Sequence, residues 1–298
     1  MEFKNPGKTN LEISRIGFGC MSLKGGDKET GELISKAVAA GINFFDTADL
    51  YDHGENEKTV GKWLKPVRQN VIIATKAGNQ WRKDGSGWDW NPRKEYILSC
   101  ADESLKRLQT DYIDLYQLHG GTINDPIDET IEAFEILKQQ GKIRFYGISS
   151  IRPNVIREYV KKSNIVSVMM QYSLLDRRPE ETCLDLLSEN NIGVLTRGTV
   201  AQGLLINKPA KEYLGYTAAA ISKAAMLVKS LCNETRNETQ VAIQFALQNP
   251  AITSTIIGIR NMSQLEEAVK TISVPSLSDE EMEQLKNVIP VNFYAEHR

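Results

Sequence analysis

Short apolar runs alternate with amphipathic stretches along the whole chain. The run at 42–45 follows Gly41 and ends on Asp46. The runs at 71–75 and 113–118 are built the same way and lead into Lys76 and His119. Apolar runs of this length, bounded by turn or charged residues, predict buried strands. The same pattern predicts strands at 15–18, 145–148, 166–171, 193–196 and 254–257. Between them the apolar residues recur at helical spacing. Leu33, Ile34, Ala37 and Val38 share one face of a helix over 27–40, which Gly41 stops, and Val60 and Leu64 share one face over 56–64. Further helices are predicted over 93–108, 127–140, 153–163, 181–190, 239–248 and 263–269. Residues 2–14 read as a hairpin about Asn5-Pro6-Gly7. A long loop at 76–91 holds Trp81, Trp88 and Trp90, and an excursion at 197–237 carries a helix near 218–231. Residues 276–298 form a tail with a helical stretch at 279–288, and its last residues, Phe293, Tyr294 and His297 among them, read by default as a loose end, the alternative being that they approach the pocket.

An unbroken series of eight strand-then-helix units predicts a parallel sheet. Eight units in 298 residues predict a closed (β/α)₈ barrel of the TIM type rather than an open doubly wound sheet, with residues 1–298 as one domain. The N-terminal hairpin, long loops at the C-terminal face and the tail decorate it. Such barrels carry their chemistry at the C-terminal ends of the strands. Asp46, Lys76, His119, Ser149, Gln171 and Arg197 all fall there. The pair Gly17-x-Gly19 lacks the third glycine and the downstream acid that a Rossmann dinucleotide loop needs, so it reads as a tight turn.

Composition narrows the function classes. Thirty-six basic against 38 acidic residues leave a net charge of −2, which gives no broad attraction to nucleic acid or an anionic membrane. No apolar run reaches transmembrane length, and the polar N-terminus lacks a signal core, so a cytoplasmic protein is expected. Four widely spaced cysteines and three scattered histidines suggest neither a disulfide framework nor a metal site. No obligate protein partner is evident, and no heptads or association helix fix an oligomeric state.

The chemistry converges on Asp46, Tyr51, Lys76 and His119. A phenol ordinarily ionises near about 10, and a neighbouring ammonium favours the phenolate. Lys76, kept charged by Asp46, would therefore make Tyr51 a usable general acid or base. A carbonyl held between Tyr51 and His119 would be polarised and then protonated by Tyr51. The set lacks an electron source, which a redox cofactor would supply.

These residues carry a resemblance to the aldo-keto reductase superfamily over nearly the whole chain, in the stretches IGFGCM, GINFFDTADLY, VIIATKAG, SLKRLQTDYIDLYQLH, IRFYGISS and GIRNMSQLEEA. The bacterial and channel-beta-subunit-like branches look nearer than the vertebrate aldose-reductase branch. The resemblance implies that Asp46, Tyr51, Lys76 and His119 are catalytic and that NADPH lies extended across the barrel mouth. It implies that Ser149 and Gln171 hold the nicotinamide carboxamide, with Gly19, Met21 and Asp46 also bordering the coenzyme. Ser150 stands where the family has Asn. Arg197 stands where an aromatic ring usually carries the nicotinamide, and a guanidinium can also stack on a ring. Gly198, Thr199, Ala201, Gly203 and Leu204 match the loop beside the pyrophosphate. Gly258, Arg260, Gln264 and Glu267 match the adenosine end, with Arg260 suited to the 2′-phosphate. Ala268 stands at the family's adenine-binding Asn.

Three functional readings stay open at this point. The first is an NADPH-dependent reductase of small aldehydes or ketones. The second is an NADP-binding regulatory protein with weak or vestigial turnover, to which the departures at Arg197 and Ala268 lend weight. The third makes Lys76 a Schiff-base lysine, which needs it neutral, whereas a paired Asp46 keeps it charged. The tryptophans of the 76–91 loop admit two readings, a wall of the substrate pocket, expected of Trp88 or Trp90, and ordinary packing of a long loop onto the barrel rim.

Overall fold

The structure is a computed structural model that describes residues 1–23 and 28–298. Eight parallel strands close into a barrel: β1 (Ile16–Gly19), β2 (Phe44–Asp46), β3 (Ile72–Ala77), β4 (Ile113–Leu118), β5 (Ile143–Ser149), β6 (Ser167–Gln171), β7 (Gly193–Arg197) and β8 (Ile252–Gly258). Each pairs with its successor, and β8 pairs with β1. Around them run α1 (Lys28–Ala39), α2 (Glu55–Leu64), α3 (Lys94–Leu108), α4 (Ile127–Gln139), α5 (Pro153–Lys162), α6 (Cys183–Glu189), α7 (Ala218–Ser230), α8 (Glu238–Leu247), α9 (Met262–Lys270) and α10 (Asp279–Asn287). The start of α1 expected at Asp27 lies outside the described residues.

Two-residue periodicity sorts every strand into a lumen face and a helix face. On the lumen side Phe44, Ile72, Ala74, Leu115, Met169, Leu195 and Ile256 form one buried cluster. Leu11 and Ile13, from the hairpin that pairs Phe3–Lys4 with Ile13–Ser14, belong to it and plug the N-terminal end. On the other side Phe45, Ile73, Tyr116, Ile148, Val168 and Val194 pack beneath the helices. Each such large apolar side chain, fully buried, contributes about 1.5–3 kcal/mol.

Continuing the lumen parity of Phe44, Ile72, Leu115, Met169 and Leu195 toward the strand ends leads to Asp46, Lys76, Gln117, Gln171 and Arg197. The period that builds the core therefore also aims polar groups into the barrel mouth.

Gly17 lies inside β1. A Cβ there would stand 2.6 Å from Ile256 Cδ1 and 2.8 Å from Phe44 Cδ1. The lumen leaves no room for a side chain, and this accounts for a glycine that the sequence alone assigns to a turn.

The loop expected at 76–91 is in fact a hairpin, with Asn79–Trp81 antiparallel to Trp88–Trp90. Gly85 and Gly87 take positive φ at its tip, and Arg82 pairs with Asp89 across it at 2.6 Å. Three-residue strands are too short for alternation to reveal, and the Trp81–Trp88 cross-strand pair forms only after the chain reverses.

Candidate active site

The turn after β2 is zipped onto its neighbours. Thr47 N donates to Ala74 O at 2.9 Å, and Asp49 N donates to Lys76 O at 3.2 Å. Asn56 anchors the same turn, accepting from Thr47 Oγ1 at 2.7 Å and donating to Cys20 O at 2.8 Å. Tyr51 N closes the turn on Ala48 O. The chain then leaves through Asp52, His53 and Gly54, all at positive φ.

Lys76, 1% exposed, donates to Asp46 Oδ2 and to Thr47 O, each at 2.7 Å, and reaches Tyr51 OH at 3.5 Å. Its three donors thus meet three acceptors. Burial opposes the Lys76 charge, but Asp46 and then Tyr51 outweigh it, so the ammonium is held above its ordinary range. Gln117 Nε2 approaches the other Asp46 oxygen at 3.4 Å. Tyr51 and His119 meet edge to face with ring centres 5.8 Å apart. Burial, reinforced by Lys76 and Arg197, pushes His119 down to about 3, so its imidazole is neutral at pH 7. His119 Nδ1 is buried with no partner.

Tyr51, Lys76 and His119 open into one cavity of about 800 Å³, bordered also by Met21, Ser149, Arg152, Met169 and Gly198. Arg178, Arg197 and tail residues Tyr294, Ala295, Glu296 and His297 complete much of its wall. The tail is therefore not a loose end: His297 O accepts from Asn154 N at 2.9 Å, and the Tyr294 ring lies under the Arg178 guanidinium at 4.8 Å.

Other expected residues are placed less simply. Gln171 is already engaged, its Nε2 donating to Tyr213 OH at 2.6 Å and its Oε1 accepting from Arg197 at 3.3 Å. Gly19 is buried at the end of β1, in register with Asp46. In the loop after β7, Thr199 Oγ1 is buried with no partner. The main-chain N–H groups of Ala201, Gly203 and Leu204 donate to loop carbonyls rather than pointing outward. Gly258, the last residue of β8, and Arg260 just beyond it are exposed. Gln264 accepts from Arg260 N at 2.9 Å, and Glu267 accepts from Thr239 Oγ1 at 3.0 Å. Ala268 is wholly buried in the core, so its side chain has no surface for adenine.

Trp88 and Trp90 do not border the cavity. Trp88 is 48% exposed, and Trp90 donates to Asp125 Oδ1 at 3.0 Å while its ring covers Gly78 and Gly120. Their expected place in the pocket wall is corrected: Trp90 braces the rim from outside.

The sequence reading misses Gln117, Arg152, Met169, Arg178 and Tyr213. Gln117 carries a usable signal, since it shares a strand face with Leu115 and His119. Among the described residues no cluster could hold a metal ion, and no helix is long and apolar enough to cross a membrane.

Residues 15–290 match the model of the Aldo/keto reductase family. An uncharacterized oxidoreductase of Bacillus subtilis, YqkF, is 48% identical over all of both chains. The NADH-specific methylglyoxal reductase of Escherichia coli is 34% identical, covering 70% of each chain. Among solved structures, the holo form of aldo-keto reductase AKR11C1 from Bacillus halodurans has a TM-score of 0.93 at 47% identity, covering 100% of this chain and 99% of that one.

Proposed function

The chain belongs to the aldo/keto reductase family, and from that premise we propose that it reduces aldehydes or ketones to alcohols with NADPH. Family members generally reduce carbonyls with a nicotinamide coenzyme. The choice of NADPH rests on Arg260, an exposed guanidinium that pairs with no carboxylate among the described residues. Arg197 likewise pairs with no carboxylate, and the buried Thr199 hydroxyl has no partner. Groups of this kind fit a ligand carrying phosphates and an amide. In this reading Ser149 and Gln171 would hold the carboxamide, and Arg197 would take the place of the usual aromatic ring beside the nicotinamide. Gly19, Met21, Asp46 and the loop from Gly198 to Leu204 border the coenzyme, and Arg260, Gln264 and Glu267 take the adenosine end.

A nicotinamide coenzyme held by these residues would supply the hydride that the carbonyl carbon accepts. The carbonyl oxygen sits between Tyr51 OH and the His119 ring. A proton on Nδ1 of His119 would be a buried donor without an acceptor, so the proton sits on Nε2 and hydrogen-bonds to the substrate oxygen. Tyr51 gives its proton to that oxygen as negative charge builds there. The Lys76 ammonium stabilises the phenolate left behind, and Asp46 with Thr47 O holds that ammonium in place. The same pairing argues against a neutral, Schiff-base Lys76.

The observation that carries this reading is Lys76, bonded to Asp46 at 2.7 Å, reaching Tyr51 beside a neutral His119 in one cavity. The test is Tyr51→Phe, with NADPH oxidation followed against a panel of aldehydes and ketones. Turnover should fall by about 10²–10⁴-fold, the usual share of a positioned acid, while NADPH affinity stays close to that of the wild type. Loss of coenzyme binding together with turnover would remove the acid role. A wild-type protein that binds NADPH without turnover would point to the regulatory reading.

A further inference from the structure

The cavity wall is unevenly charged. Lys76 is neutralised by Asp46, and Arg178 forks onto Asp176 at 2.7 and 2.8 Å. Arg197 holds the Gln171 amide and belongs to the coenzyme end in the reading above. Arg152 has no such counterpart. Its Nη1 donates to the Gly121 carbonyl, its main-chain N donates to Ser150 Oγ at 3.2 Å, and no carboxylate among the described residues pairs with it.

The surroundings add to the imbalance. Arg152 immediately precedes Pro153, the first residue of the ten-residue α5, whose first turn contains no acid. The single carboxylate in the described wall is Glu296, whose side chain is 82% exposed and leans toward His297 at 3.7 Å. A half-buried guanidinium with no carboxylate partner can pair with an incoming anion through charge-assisted hydrogen bonds.

Position makes this a matter of substrate. The Arg152 guanidinium is fastened to Gly121 O, and Gly121 lies two residues beyond His119. Two residues span at most about 7 Å, so the guanidinium is held on the His119 side of the cavity that Tyr51, His119 and Arg152 all line. The intervening wall at Gly120, Ser149 and Ser150 is uncharged.

We propose that Arg152 is a specificity residue that receives the anionic end of a short carbonyl substrate, a carboxylate or a phosphate a few carbons from the carbonyl. This rests on the reductase reading above. The guanidinium keeps its Gly121 bond through Nη1 and offers its remaining N–H groups to the anion.

The test measures NADPH-dependent reduction of two matched pairs by the full chain. One is 4-oxobutanoate against its methyl ester, and the other is glyceraldehyde 3-phosphate against glyceraldehyde. In at least one pair the wild type should favour the anionic member by about tenfold or more in kcat/KM, as a charge-assisted contact gives, with the preference residing in KM. The pair that shows it tells carboxylate from phosphate. Arg152→Gln should bring that ratio close to one, and Arg152→Lys should keep part of it. A wild-type ratio near one in both pairs, or a ratio that survives Arg152→Gln, overturns the proposal. Reduction of neither member of either pair would instead overturn the reductase reading, and this proposal with it.

Discussion

Burial drives His119 and Asp49 in opposite directions along the pH scale. His119 falls to about 3, pushed first by burial and then by Lys76 and Arg197. In the unfolded chain it ionises near about 6.5, so between these values the unfolded state holds more protons. Stability from this group therefore rises with pH across that window and is lost on acidification. Asp49 sits behind the Tyr51 turn, where burial pushes it up to about 6 against donation from Cys100 Sγ at 3.0 Å and Tyr96 OH at 3.2 Å. Its other oxygen is buried without a partner. Here the folded state holds more protons between about 4 and 6, so stability from Asp49 falls as pH rises through that window. Asp49→Asn removes this ionisation and leaves that of His119 in place. The melting temperature of the variant relative to the wild type should therefore be higher at pH 8 than at pH 5, by the equivalent of about 1.4 kcal/mol, because about one pKa unit of the shift lies above pH 5. Thermal unfolding at the two pH values checks it, and a difference independent of pH would show that Asp49 is already ionised at pH 5.

Among the elements, the junction of β8 and α9 shows how a helix start can present a charge. Asn261 caps α9 by accepting from Gln264 N at 3.0 Å, and Gln264 Oε1 accepts in return from Arg260 N. These two bonds fix the backbone and leave the Arg260 side chain exposed just outside the helix N-terminus, where a phosphate would also be favoured. Arg260→Ala should raise the Kd for NADPH by about tenfold or more, as loss of a charge-assisted contact predicts, and change the Kd for NADH much less. Equal weakening of both would remove the 2′-phosphate assignment. Elements like this one are readable from sequence because their signals are local. The strand runs, the helix faces and the gathering of Asp46, Tyr51, Lys76 and His119 around one point follow from periods of 2 and 3.6 and from barrel topology. The Trp81–Trp88 hairpin is not readable that way, nor is the inward turn of the Ala201, Gly203 and Leu204 N–H groups. Both depend on backbone reversals, Gln202 and Gly203 at positive φ among them, that leave little trace in hydrophobic pattern. Trp90 shows the same limit from another side: its position over Gly78 and Gly120 is fixed by two glycines 42 residues apart in sequence.

The largest departure from the sequence reading belongs to the molecule as a whole. A polar C-terminus with scattered aromatics is expected to fray, yet here it is tied across the barrel mouth by partners far away in sequence. Tyr216 OH donates to Pro290 O at 2.6 Å, and Arg177 N donates to Asn292 Oδ1 at 3.2 Å. Asn154 N donates to His297 O, and Arg298 pairs with Glu181. These partners come from the regions following β5, β6 and β7, so the tail docks only on a closed barrel, and no local pattern announces it. Tyr294, 6% exposed against Arg178, is the largest buried side chain of this strap and also lines the cavity. Tyr294→Ala should therefore have two effects at once. Loss of the buried ring costs about 1.5–3 kcal/mol, which lowers the melting temperature by on the order of 5 °C. Opening the wall beside Arg178 should raise KM for carbonyl substrates severalfold with a smaller change in kcat, because no tail residue touches the Lys76, Asp46 or Tyr51 side-chain bonds. Thermal unfolding and steady-state kinetics on the full chain decide the matter. A variant that melts and binds like the wild type would show that the tail stands away from the barrel in solution, and the wall it forms would then have no part in substrate choice.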